Sequence, residues 1–494
     1  MMDGKEQLMK WTTKLKYQPY TEWPDKYFSK LKSKVANSQY RLNYHIQPAT
    51  GLLNDPNGFS YFNGQWHLFY QNFPMGPVHG LKSWFHLCSK DLVHWQNLGY
   101  ALIPTTKYDN QGVYSGSAIE INNKLFILYT GNSRNKDFIR TPYQMGAWMD
   151  KNNRICKIKR PLIFPNKLYT EHFRDPMVFR FKNQIYAVIG AQNKSFSGTI
   201  ALYKLKGNNI SNWEFLGDLK FPYHNFCYMI ECPNLVFIND KPVLIFCPQG
   251  LKQDLCSYDN IYPNVYAIGD SFAPDQCQIT QTTGFTNVDE GFDIYATQAF
   301  NALDGRTLAI SWIGLPDTTY PTDSDGWSGC LSLVKELKLV NGKLFQYPVA
   351  ETKSLRKEIN YCDLSTLHRT PKENSYEVEV NIAKKASLQI VLFSNISKTQ
   401  GLYITIDTQN GKLSVNRKHF GVSFGAKYGY TRTISIDKCK SATLNIFVDQ
   451  SVVEIYLNKG QKTITSRVFP DETQNYIYCS QHLKAKIWPL LSTN

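Results

Sequence analysis

The sequence predicts an all-β protein in which a five-bladed β-propeller is followed by a C-terminal β-sandwich. Three observations predict this fold class. Short apolar runs separated by turn signals begin near residue 54. Five similar segments then recur at a nearly constant interval. After residue 375, a second set of strands alternates apolar and polar residues with period two.

Residues 1–36 are predicted to form a helical N-terminal lead-in, because aromatic residues and leucines are spaced among many charges. The start, "MMDGKEQLMKWTTKLK", has acids and lysines where a secretory peptide would need an apolar run. No run of about 18 apolar residues follows, and the eleven cysteines form no CxxC pair. We therefore expect a cytoplasmic chain with reduced thiols and no membrane-spanning helix.

The repeated segments define a predicted propeller domain at residues 37–351. They begin at Asp55, Ser115, Asp175, Glu231 and Asp293, at intervals of 60, 60, 56 and 62 residues. Each opens with a polar residue, enters an apolar strand, turns at a pair such as Asn63-Gly64, and continues into an aromatic-rich strand. An ordinary β-sandwich with coincidental spacing is the alternative. The agreement of five consecutive units favours the propeller, whose closed ring leaves few open sheet edges.

The net charge of +15 permits a nucleic acid, an acidic surface or an anionic substrate as the partner. The lysines are mostly scattered. The one dense basic run, "KNNRICKIKR" at 151–160, alternates like an outer strand, and "SKDLVHWQNLG" and "GNNISNWEFLGDL" have similar patterns. No nucleic-acid motif and no His-Cys ligand set is present, so we expect no nucleic acid, metal or other cofactor.

The C-terminal part is predicted as a linker at 352–375, which is charged and turn-rich, and a β-sandwich at 376–494. Its eight alternating segments run from "YEVEVNI" to "TITSRVFP". In "FVDQSVVEIYL", Asp449 and Glu454 alternate with apolar residues, which indicates a half-exposed structural strand with no catalytic role.

Three acids of the propeller are predicted to converge on one cavity. The first strand of each blade lines the central channel, and Asp55, Asp175 and Glu231 occupy equivalent positions at the starts of three such strands. Glycoside hydrolysis needs two carboxyl groups, and a third can hold sugar hydroxyls. A calcium site would need acids at the local spacing of a DxDxDG loop, which is absent. A turn cap or surface carboxylate explains any one of these acids, but not the set.

The sequence resembles glycoside hydrolase family 32, the invertase and fructanase family. The stretches "GLLNDPNG", "FRDPMVF" and "MIECPNL" are similar to its three acidic motifs and occur in the same order. Further similar stretches include "YHIQP", "YQNFP", "YSGSA", "GFDIYATQ" and "TSRVFP", so the resemblance extends from about residue 40 over nearly the whole chain. The fold of that family is also a five-bladed propeller followed by a β-sandwich.

The resemblance implies roles for individual residues and a small sugar as the substrate. Asp55 corresponds to the nucleophile, Glu231 to the acid/base, and Asp175 to a transition-state stabiliser. The implied sugar-binding residues are Asn54, Gln71, Trp84, Tyr114, Ser115, Arg174, Tyr295 and Trp312. Leu52 replaces the usual tryptophan, "WFHLCS" replaces the commoner Trp-Gly-His-Ala-Ser, and "GWSGCLSLVKEL" lacks the usual Pro-Arg.

These roles predict a retaining mechanism. Glu231, kept protonated by its neighbours, donates to the oxygen between glucose and fructose, and Asp55 forms a covalent fructosyl-enzyme. Arg174 is expected to pair with one carboxylate and lower its pKa. Cys227 and Cys232, which flank Glu231, are interpreted as buried strand residues.

The leading hypothesis is a β-fructofuranosidase acting on sucrose or sucrose 6-phosphate. A fructan hydrolase or fructosyltransferase, a non-catalytic sugar-binding propeller and an inverting arabinan or xylan hydrolase are the alternatives. If a phosphate is bound, the candidate contacts on the leaving-group side are Lys82, Arg134, Lys136 and Arg140. For Arg140, bracing of its loop through a carboxylate is the favoured interpretation.

Overall fold

The computed structural model describes residues 10–493. The predicted lead-in contains α1 (Thr13–Lys16), a 3-10 turn (Tyr20–Glu22) and α2 (Asp25–Ala36). Its first nine residues, which include part of the segment analysed for a secretory signal, lie outside the described residues. No helix among residues 10–493 is long and apolar enough to span a membrane.

The lead-in packs on the loop that joins the second and third strands of the propeller. Trp11 contacts the ring of Phe73 at 5.8 Å between centroids. Its indole also fills the space that a side chain at Gly76 would need. The Tyr27 hydroxyl donates to the Met75 carbonyl at 2.7 Å. These contacts fix the loop at residues 74–82.

Five sheets of mainly antiparallel strands, numbered here I to V, account for most of residues 51–348. Sheet I contains β1 (Gly51–Phe62), β2 (Gln65–Phe73), β3 (Ser83–Ser89) and β4 (Trp95–Leu102). Sheet II contains β5 (Val113–Ile121), β6 (Lys124–Arg134), β7 (Arg140–Met149) and β8 (Ile155–Lys157). Sheet III contains β9 (Tyr169–Phe181), β10 (Gln184–Asn193), β11 (Gly198–Leu205) and β12 (Trp213–Asp218).

Sheets IV and V continue the same order. Sheet IV contains β13 (Met229–Ile238), β14 (Lys241–Gln249), β15 (Val265–Ile268) and, after a separate two-stranded hairpin of β16 (Ser271–Ala273) and β17 (Gln278–Thr280), the edge strand β18 (Thr286–Asn287). Sheet V contains β19 (Ile294–Asn301) and β20 (Thr307–Ile313). After the short strands β21 (Trp327–Ser328) and β22 (Cys330–Leu331), it ends with β23 (Lys335–Val340) and β24 (Lys343–Pro348).

The first strands of the five sheets adjoin in a closed ring. Strand β1 contacts β5, β5 contacts β9, β9 contacts β13, β13 contacts β19, and β19 returns to β1. A cavity of about 20 Å³, room for roughly one water molecule, is lined by all five strands through Pro56, Ser115, Asp175, Cys232 and Thr297. The predicted arrangement of first strands around a central channel is therefore confirmed.

The ring is closed by backbone pairing between distant parts of the chain. Strand β21 lies parallel to β1, with Gly51 opposite Trp327 and Leu52 opposite Ser328. Sheet I thus gains a fifth strand on its inner edge, which would otherwise expose unpaired N–H and C=O groups.

The predicted turns and outer strands are present. Asn63 and Gly64 both adopt positive φ, 49° and 78°, as a two-residue hairpin turn requires. The basic run at 151–160 supplies β8, the outermost strand of sheet II. The two similar patterns supply β4 and β12, which are likewise outermost.

Each first strand carries a β-bulge at the same level of the channel, where two of its residues face one residue of the second strand. The facing sets, read from the strand registers, are 54–55 with 71, 114–115 with 130, 175–176 with 189, 232–233 with 246, and 296–297 with 311. A bulge re-aims side chains that regular pleating would send to alternate faces. The five bulges therefore bring residues of five strands to one end of the channel.

The bulges explain the Asp-Pro and Cys-Pro pairs of the three acidic motifs. Pro176 and Pro233 lie within their bulges, and Pro56 directly follows its own. Proline has no N–H to donate, so it fits where the ladder is interrupted. Asp175 and Cys232 adopt left-handed φ values of 64° and 47°, which non-glycine residues rarely do.

The sandwich contains all eight predicted strands. They are β27 (Ser375–Ile382), β28 (Ser387–Ser394), β29 (Leu402–Asp407), β30 (Lys412–Asn416), β31 (Thr431–Ser435), β32 (Ala442–Asp449), β33 (Val452–Leu457) and β34 (Lys462–Arg467). Four further strands are β25 (Asn360–Asp363), β26 (His368–Arg369), β35 (Tyr476–Cys479) and β36 (Lys484–Pro489). Strands β25 and β26 pair with β36 and β35, so this part of the predicted linker belongs to the sandwich sheets.

Two six-stranded sheets face each other across an aliphatic core. Their orders are β25-β36-β27-β32-β33-β34 and β26-β35-β28-β29-β30-β31. Alternate residues such as Val378, Ile404 and Ile446 are fully buried between them. The predicted fold class, a propeller followed by a β-sandwich, is confirmed.

The prediction of a half-exposed strand around Asp449 and Glu454 is wrong. Both carboxylates are fully buried, because the outer face of this sheet packs on the propeller. His45 lies between them, with Nδ1 2.9 Å from Asp449 and Nε2 3.0 Å from Glu454. Lys335 of β23 approaches Glu454 at 3.2 Å. Period-two alternation identified the strand but not the second domain that covers its polar face.

Candidate active site

The three predicted acids meet at the bulged end of the channel. Asp55 lies on β1, Asp175 on β9 and Glu231 on β13. Asp175 retains 6% of its surface exposed, and the Glu231 side chain retains 17%. Arg174 lies 2.8 Å from Glu231 and 3.9 Å from Asp175, and Cys232 Sγ lies 3.9 Å from Asp55 and 3.7 Å from Asp175, so the three carboxylates form one site.

Asp55 is held by hydrogen-bond donors and has no cation paired to it among residues 10–493. Ser115 Oγ donates to Oδ2 at 2.5 Å, and Gln71 Nε2 donates to the same oxygen at 3.3 Å. Asn54 Nδ2 donates to Oδ1 at 2.9 Å. Gln71 also donates to Ser115 Oγ, which fixes both donors. Neutral groups therefore orient the Asp55 carboxylate, and no ion pair has to break before one of its oxygens can attack a substrate.

Glu231 is surrounded by donors, one of which is charged. Arg174 donates to Oε1 through Nη2 at 2.8 Å and through Nε at 3.2 Å. Tyr295 Oη and Gln249 Nε2 each donate to Oε2 at 2.7 Å. Burial alone would favour the neutral acid, but Arg174 and these hydrogen bonds lower the pKa of Glu231.

This direction corrects the expectation that neighbouring acids keep Glu231 protonated. Arg174 was expected to pair with one carboxylate, and it does so with Glu231, at 2.8 Å, whereas its nearest approach to Asp175 is 3.9 Å. The charge-assisted pair outweighs repulsion from the other acids. In the substrate-free site, the ionised form of Glu231 is therefore favoured.

Asp175 carries the raised pKa. Burial raises the pKa of Asp175 to about 7, and the charges of Glu231 and Asp55 add to this against the opposing charge of Arg174. The backbone N–H of Cys232 donates to Oδ2 at 3.1 Å. Near neutral pH this carboxyl group holds a proton for part of the time.

Cys232 is a site residue that the sequence analysis placed only in a buried strand. Its Sγ lies 3.9 Å from Asp55 Oδ2 and 3.7 Å from Asp175 Oδ2. Burial and both carboxylates raise its thiol pKa far above the usual range, so the protonated thiol is a donor to the acids. Cys227, in contrast, is buried in the core as expected. The adjacency of Cys232 to Glu231 was the only sequence signal.

Most of the implied sugar-binding residues lie at the site. Asn54, Gln71, Ser115, Arg174 and Tyr295 all contact a carboxylate, as described above. Tyr114 directly precedes Ser115 in the same bulge. Trp312 packs against the ring of Tyr295 at 6.4 Å between centroids, one layer behind the acids.

Trp84 does not reach the site, contrary to the sequence analysis. The residue has no exposed surface, and its ring packs against Phe69 and Tyr129 at centroid distances of 5.5 and 6.0 Å. Its Nε1 donates to the Tyr114 carbonyl at 3.1 Å. Trp84 therefore supports the strand that carries Ser115 instead of offering a surface to a sugar.

Gln249 and His172 are site residues that the sequence analysis missed. Gln249 ends β14 beside Glu231. His172 Nδ1 lies 2.9 Å from Arg174 Nη1. Neither residue belongs to an acidic motif. Strand pairing brings Gln249 next to Glu231, and His172 reaches the site through its contact with Arg174.

Comparisons with known proteins agree with this geometry. A family model described as "Glycosyl hydrolases family 32 N-terminal domain" matches residues 45–348, and one described as "Glycosyl hydrolases family 32 C terminal" matches residues 348–489. A sucrose-6-phosphate hydrolase of Lactococcus lactis subsp. lactis is 47% identical over 98% of this chain and 100% of its own length. Another, of Streptococcus mutans, is 48% identical over 94% of this chain and 95% of its own.

Solved structures show the same relationship. The structure of a sucrose-6-phosphate hydrolase from Lactobacillus gasseri superposes with a TM-score of 0.95 at 42% identity and covers 98% of this chain and 100% of its own. A family 32 β-fructofuranosidase of Bombyx mori superposes at 0.82 and 29% identity over 95% of this chain and 97% of its own. With both family models matched from end to end of the two domains, the chain belongs to glycoside hydrolase family 32.

Proposed function

We propose that this protein is a retaining β-fructofuranosidase that hydrolyses sucrose or sucrose 6-phosphate. The proposal rests on the convergence of three carboxyl groups at one channel mouth. Asp55 is held by neutral donors, Glu231 is paired with Arg174, and Asp175 has a raised pKa. Retaining glycoside hydrolysis requires a free carboxylate and a second group that can give and take a proton. The similar proteins named above are called sucrose-6-phosphate hydrolases or a β-fructofuranosidase. A variant of the Bombyx mori enzyme was solved in complex with sucrose.

In the first step, Asp55 Oδ attacks the anomeric carbon of the fructosyl unit while Glu231 gives its proton to the bridging oxygen. The carbon–oxygen bond to the leaving sugar breaks, and a fructosyl ester on Asp55 forms. The neutral donors on Asp55 orient its carboxylate toward the carbon. Because no cation is paired with this carboxylate among residues 10–493, the attack breaks no ion pair. In the second step, Glu231 accepts a proton from water, whose oxygen attacks the same carbon and frees Asp55 with retained configuration.

The proton for Glu231 is supplied within the acid set. In the empty site the raised pKa of Asp175 gives it the greater share of a proton. Sugar hydroxyls that donate to Asp175 stabilise its ionised form, and a bridging oxygen that accepts from Glu231 stabilises the protonated form of that residue. Substrate binding therefore moves the proton preference from Asp175 to Glu231.

The alternatives have less support. Family membership separates the chain from the inverting arabinan and xylan hydrolases, and the retention of all three acids disfavours a non-catalytic sugar-binding propeller. Fructan hydrolysis and fructosyl transfer use the same acids, so the choice depends on the leaving group. The eleven free thiols fit a reducing compartment, and we propose that the protein acts in the cytoplasm.

The decisive experiment compares turnover of sucrose, sucrose 6-phosphate and inulin by the wild-type protein and two variants. Asp55→Asn and Glu231→Gln keep the shape of each side chain but remove the nucleophile or the proton donor. We expect each to lower kcat by at least about a thousandfold, with an unchanged far-UV circular dichroism spectrum. Asp240→Asn, at a hairpin turn remote from the carboxylates, is the matched control.

Wild-type activity on inulin above that on both sucrose forms would replace the proposed function with fructan hydrolysis. Near-normal turnover by either folded variant would overturn the residue roles. Proton NMR of the first product formed tests retention, because β-fructofuranose must appear before mutarotation.

A further inference from the structure

His172 connects Arg174 to the beginning of the strand that carries Glu231. It lies on β9 two residues before Arg174, so both side chains are on the same side of that strand. Its Nδ1 is 2.9 Å from Arg174 Nη1, and its Nε2 is 3.3 Å from the Tyr228 hydroxyl. Tyr228 directly precedes β13. The imidazole therefore bridges the two strands that carry Asp175 and Glu231.

The contact with Arg174 determines the tautomer of His172. A guanidinium group carries only donors, so Nδ1 must accept the hydrogen bond from Nη1. In a neutral imidazole the other nitrogen then carries the proton, and Nε2–H donates to the Tyr228 hydroxyl. The two contacts thus require the same neutral tautomer.

The groups around the imidazole keep it neutral. Burial and the charges of Arg174 and Arg140 lower the pKa of His172 to about 4. Glu171, whose carboxylate lies 3.9 Å from Nε2, and Glu231 act in the opposite direction. Near neutral pH, Nδ1 therefore carries no proton and can accept from Arg174.

The backbone around His172 and Tyr228 is held by a second set of hydrogen bonds. The His172 N–H donates to Thr170 Oγ1 at 3.2 Å, and that hydroxyl donates to Gln192 Oε1 at 2.9 Å. Gln192, which is buried on β10, also donates through Nε2 to the Tyr228 carbonyl at 3.0 Å. The residues at both ends of the imidazole contact are thereby fixed to the same buried amide.

Three nitrogens of Arg174 donate to two acceptors. Nη1 donates to His172, while Nη2 and Nε both donate to Glu231 Oε1, at 2.8 and 3.2 Å. Because the guanidinium group is planar with fixed donor directions, holding Nη1 keeps the Nε–Nη2 edge on Glu231. Asp175 lies 3.9 Å from Nε. Without the acceptor on His172, Arg174 can turn toward Asp175 and share its charge between the two acids.

We propose that His172 is a positioning residue, which holds the Arg174 guanidinium on Glu231 and away from Asp175 while Tyr228 stabilises the required tautomer. The inference rests on the proposed function, because it assigns the group that keeps these two acids in different protonation states. Loss of the imidazole acceptor gives ionised Asp175 a larger share of the arginine charge and ionised Glu231 a smaller share. The proton that hydrolysis needs is then distributed differently between them.

The test compares the pH dependence of kcat/KM for sucrose and sucrose 6-phosphate in the wild-type protein and two variants. His172→Leu removes the acceptor, and we expect kcat/KM near neutral pH to fall at least about tenfold, because Arg174 is misplaced. The alkaline limb of the profile should move at least about 0.5 pH unit lower, because ionised Asp175 is stabilised. His172→Asn places an acceptor oxygen near the position of Nδ1 and should restore most of both properties.

His224→Leu, which removes an exposed histidine from the loop before β13, is the matched control and should leave the profile unchanged. Tyr228→Phe removes the acceptor of Nε2–H and should shift the alkaline limb in the same direction as His172→Leu, but less. A His172→Leu profile that coincides with that of His224→Leu, together with normal wild-type hydrolysis, would overturn the positioning role while the proposed function stands.

Heteronuclear NMR of nitrogen-labelled histidine side chains gives an answer that does not depend on activity. With the His172 signals assigned by their loss in His172→Asn, the wild-type protein should show the Nε2–H tautomer and no imidazolium above about pH 5. An Nδ1–H tautomer, or a charged imidazole at pH values above about 6, would overturn the positioning role. Absence of wild-type turnover on both sucrose forms would instead overturn the proposed function.

Discussion

Asp175 and Glu231 show how one arginine separates two neighbouring acids. Arg174 donates to Glu231 through two nitrogens, whereas its shortest distance to Asp175 is 3.9 Å. The acid that resembles the proton donor is consequently the more ionised of the two in the empty site. The family resemblance implies a role for each acid. Which acid holds a proton depends on which carboxylate the Arg174 guanidinium contacts.

The raised pKa of Asp175 predicts a pH-dependent contribution to stability. The folded protein binds this proton up to about pH 7, whereas an unfolded aspartate releases it near pH 3.9. The contribution is therefore fully present below about pH 4 and is lost as pH rises through about 7, to a total of at most about 4 kcal/mol. Asp175→Asn lacks this dependence, so its free energy of unfolding relative to wild type should rise between pH 4 and pH 8. Urea unfolding at four pH values measures the difference, and a flat difference would contradict the shift.

The sequence was most informative about residues whose chemistry depends on chain position. Asp55, Asp175 and Glu231 were found because each begins a repeat. The predictions for Arg140 and Trp84 were wrong for the same reason. A repeat in the sequence does not indicate which partner a side chain contacts or whether the side chain is buried. Arg140 pairs with no carboxylate among residues 10–493, so the expectation that it braces its loop through one is wrong, and Trp84 is turned into the core by the pleat of β3.

The five bulges are the elements that convert a regular propeller into a site. In three of these bulges a non-glycine residue adopts a left-handed backbone conformation. These residues are Asp175, Cys232 and Ala296, the last with φ of 48°. Such strain costs roughly 1–2 kcal/mol per residue and persists only where surrounding structure enforces it. The rigid ring of first strands supplies that enforcement.

Substitution of Ala296 tests the strain directly. Ala296→Gly removes a buried methyl group but also relieves the left-handed penalty. Ala187→Gly, on β10, removes an equally buried methyl group from a residue without positive φ and is the matched control. We expect Ala296→Gly to cost about 1–2 kcal/mol less than the control in chemical denaturation. Equal costs would show that the bulge is unstrained.

The bulges could be read only in part from the sequence. A proline after an acid or a cysteine indicates an interrupted ladder, and three of the five bulges carry that sign. The bulges at 114–115 and 296–297 have no proline. They follow from the ring itself, because five similar strands must meet at one level of the channel.

The two domains are joined by a buried charged network as well as by apolar contacts. Asp449 and Glu454 of the sandwich accept hydrogen bonds from His45 and from the backbone N–H of Tyr44 and Leu333. Although burial opposes it, hydrogen bonds to the two carboxylates raise the pKa of His45 to about 9. A charged His45 therefore connects two anions across the domain boundary at neutral pH.

Loss of His45 should destabilise the whole molecule. His45→Asn removes the positive charge that lies between two buried carboxylates, and we expect the free energy of unfolding to fall by roughly 3–5 kcal/mol. Because the folded pKa of His45 is raised, its contribution is fully present below about pH 6.5 and is lost as pH rises through about 9. The difference from wild type should thus shrink between pH 6 and pH 10. His94→Asn, which removes an exposed histidine, is the control, and an effect no larger than that of the control would contradict the role.

The sequence predicted both domains but not the way in which they are held together. Alternation in β32 and β33 assigned each residue to a face correctly. Whether that face meets water or another domain depends on the docking of elements about 400 residues apart in the chain, as His45 and Glu454 are. No local pattern records such a contact.

The parallel pairing of β21 with β1 also has a consequence for the order of biosynthesis. Residue 51 leaves the ribosome 276 residues before its partner at 327. At roughly 5–20 residues per second, the inner edge of the first sheet waits about 14–55 s for its neighbour. During that interval the nascent chain carries an open strand edge, the feature on which wrong pairings begin. The growing polypeptide therefore needs protection for a defined time, which ends when residues 327–328 emerge.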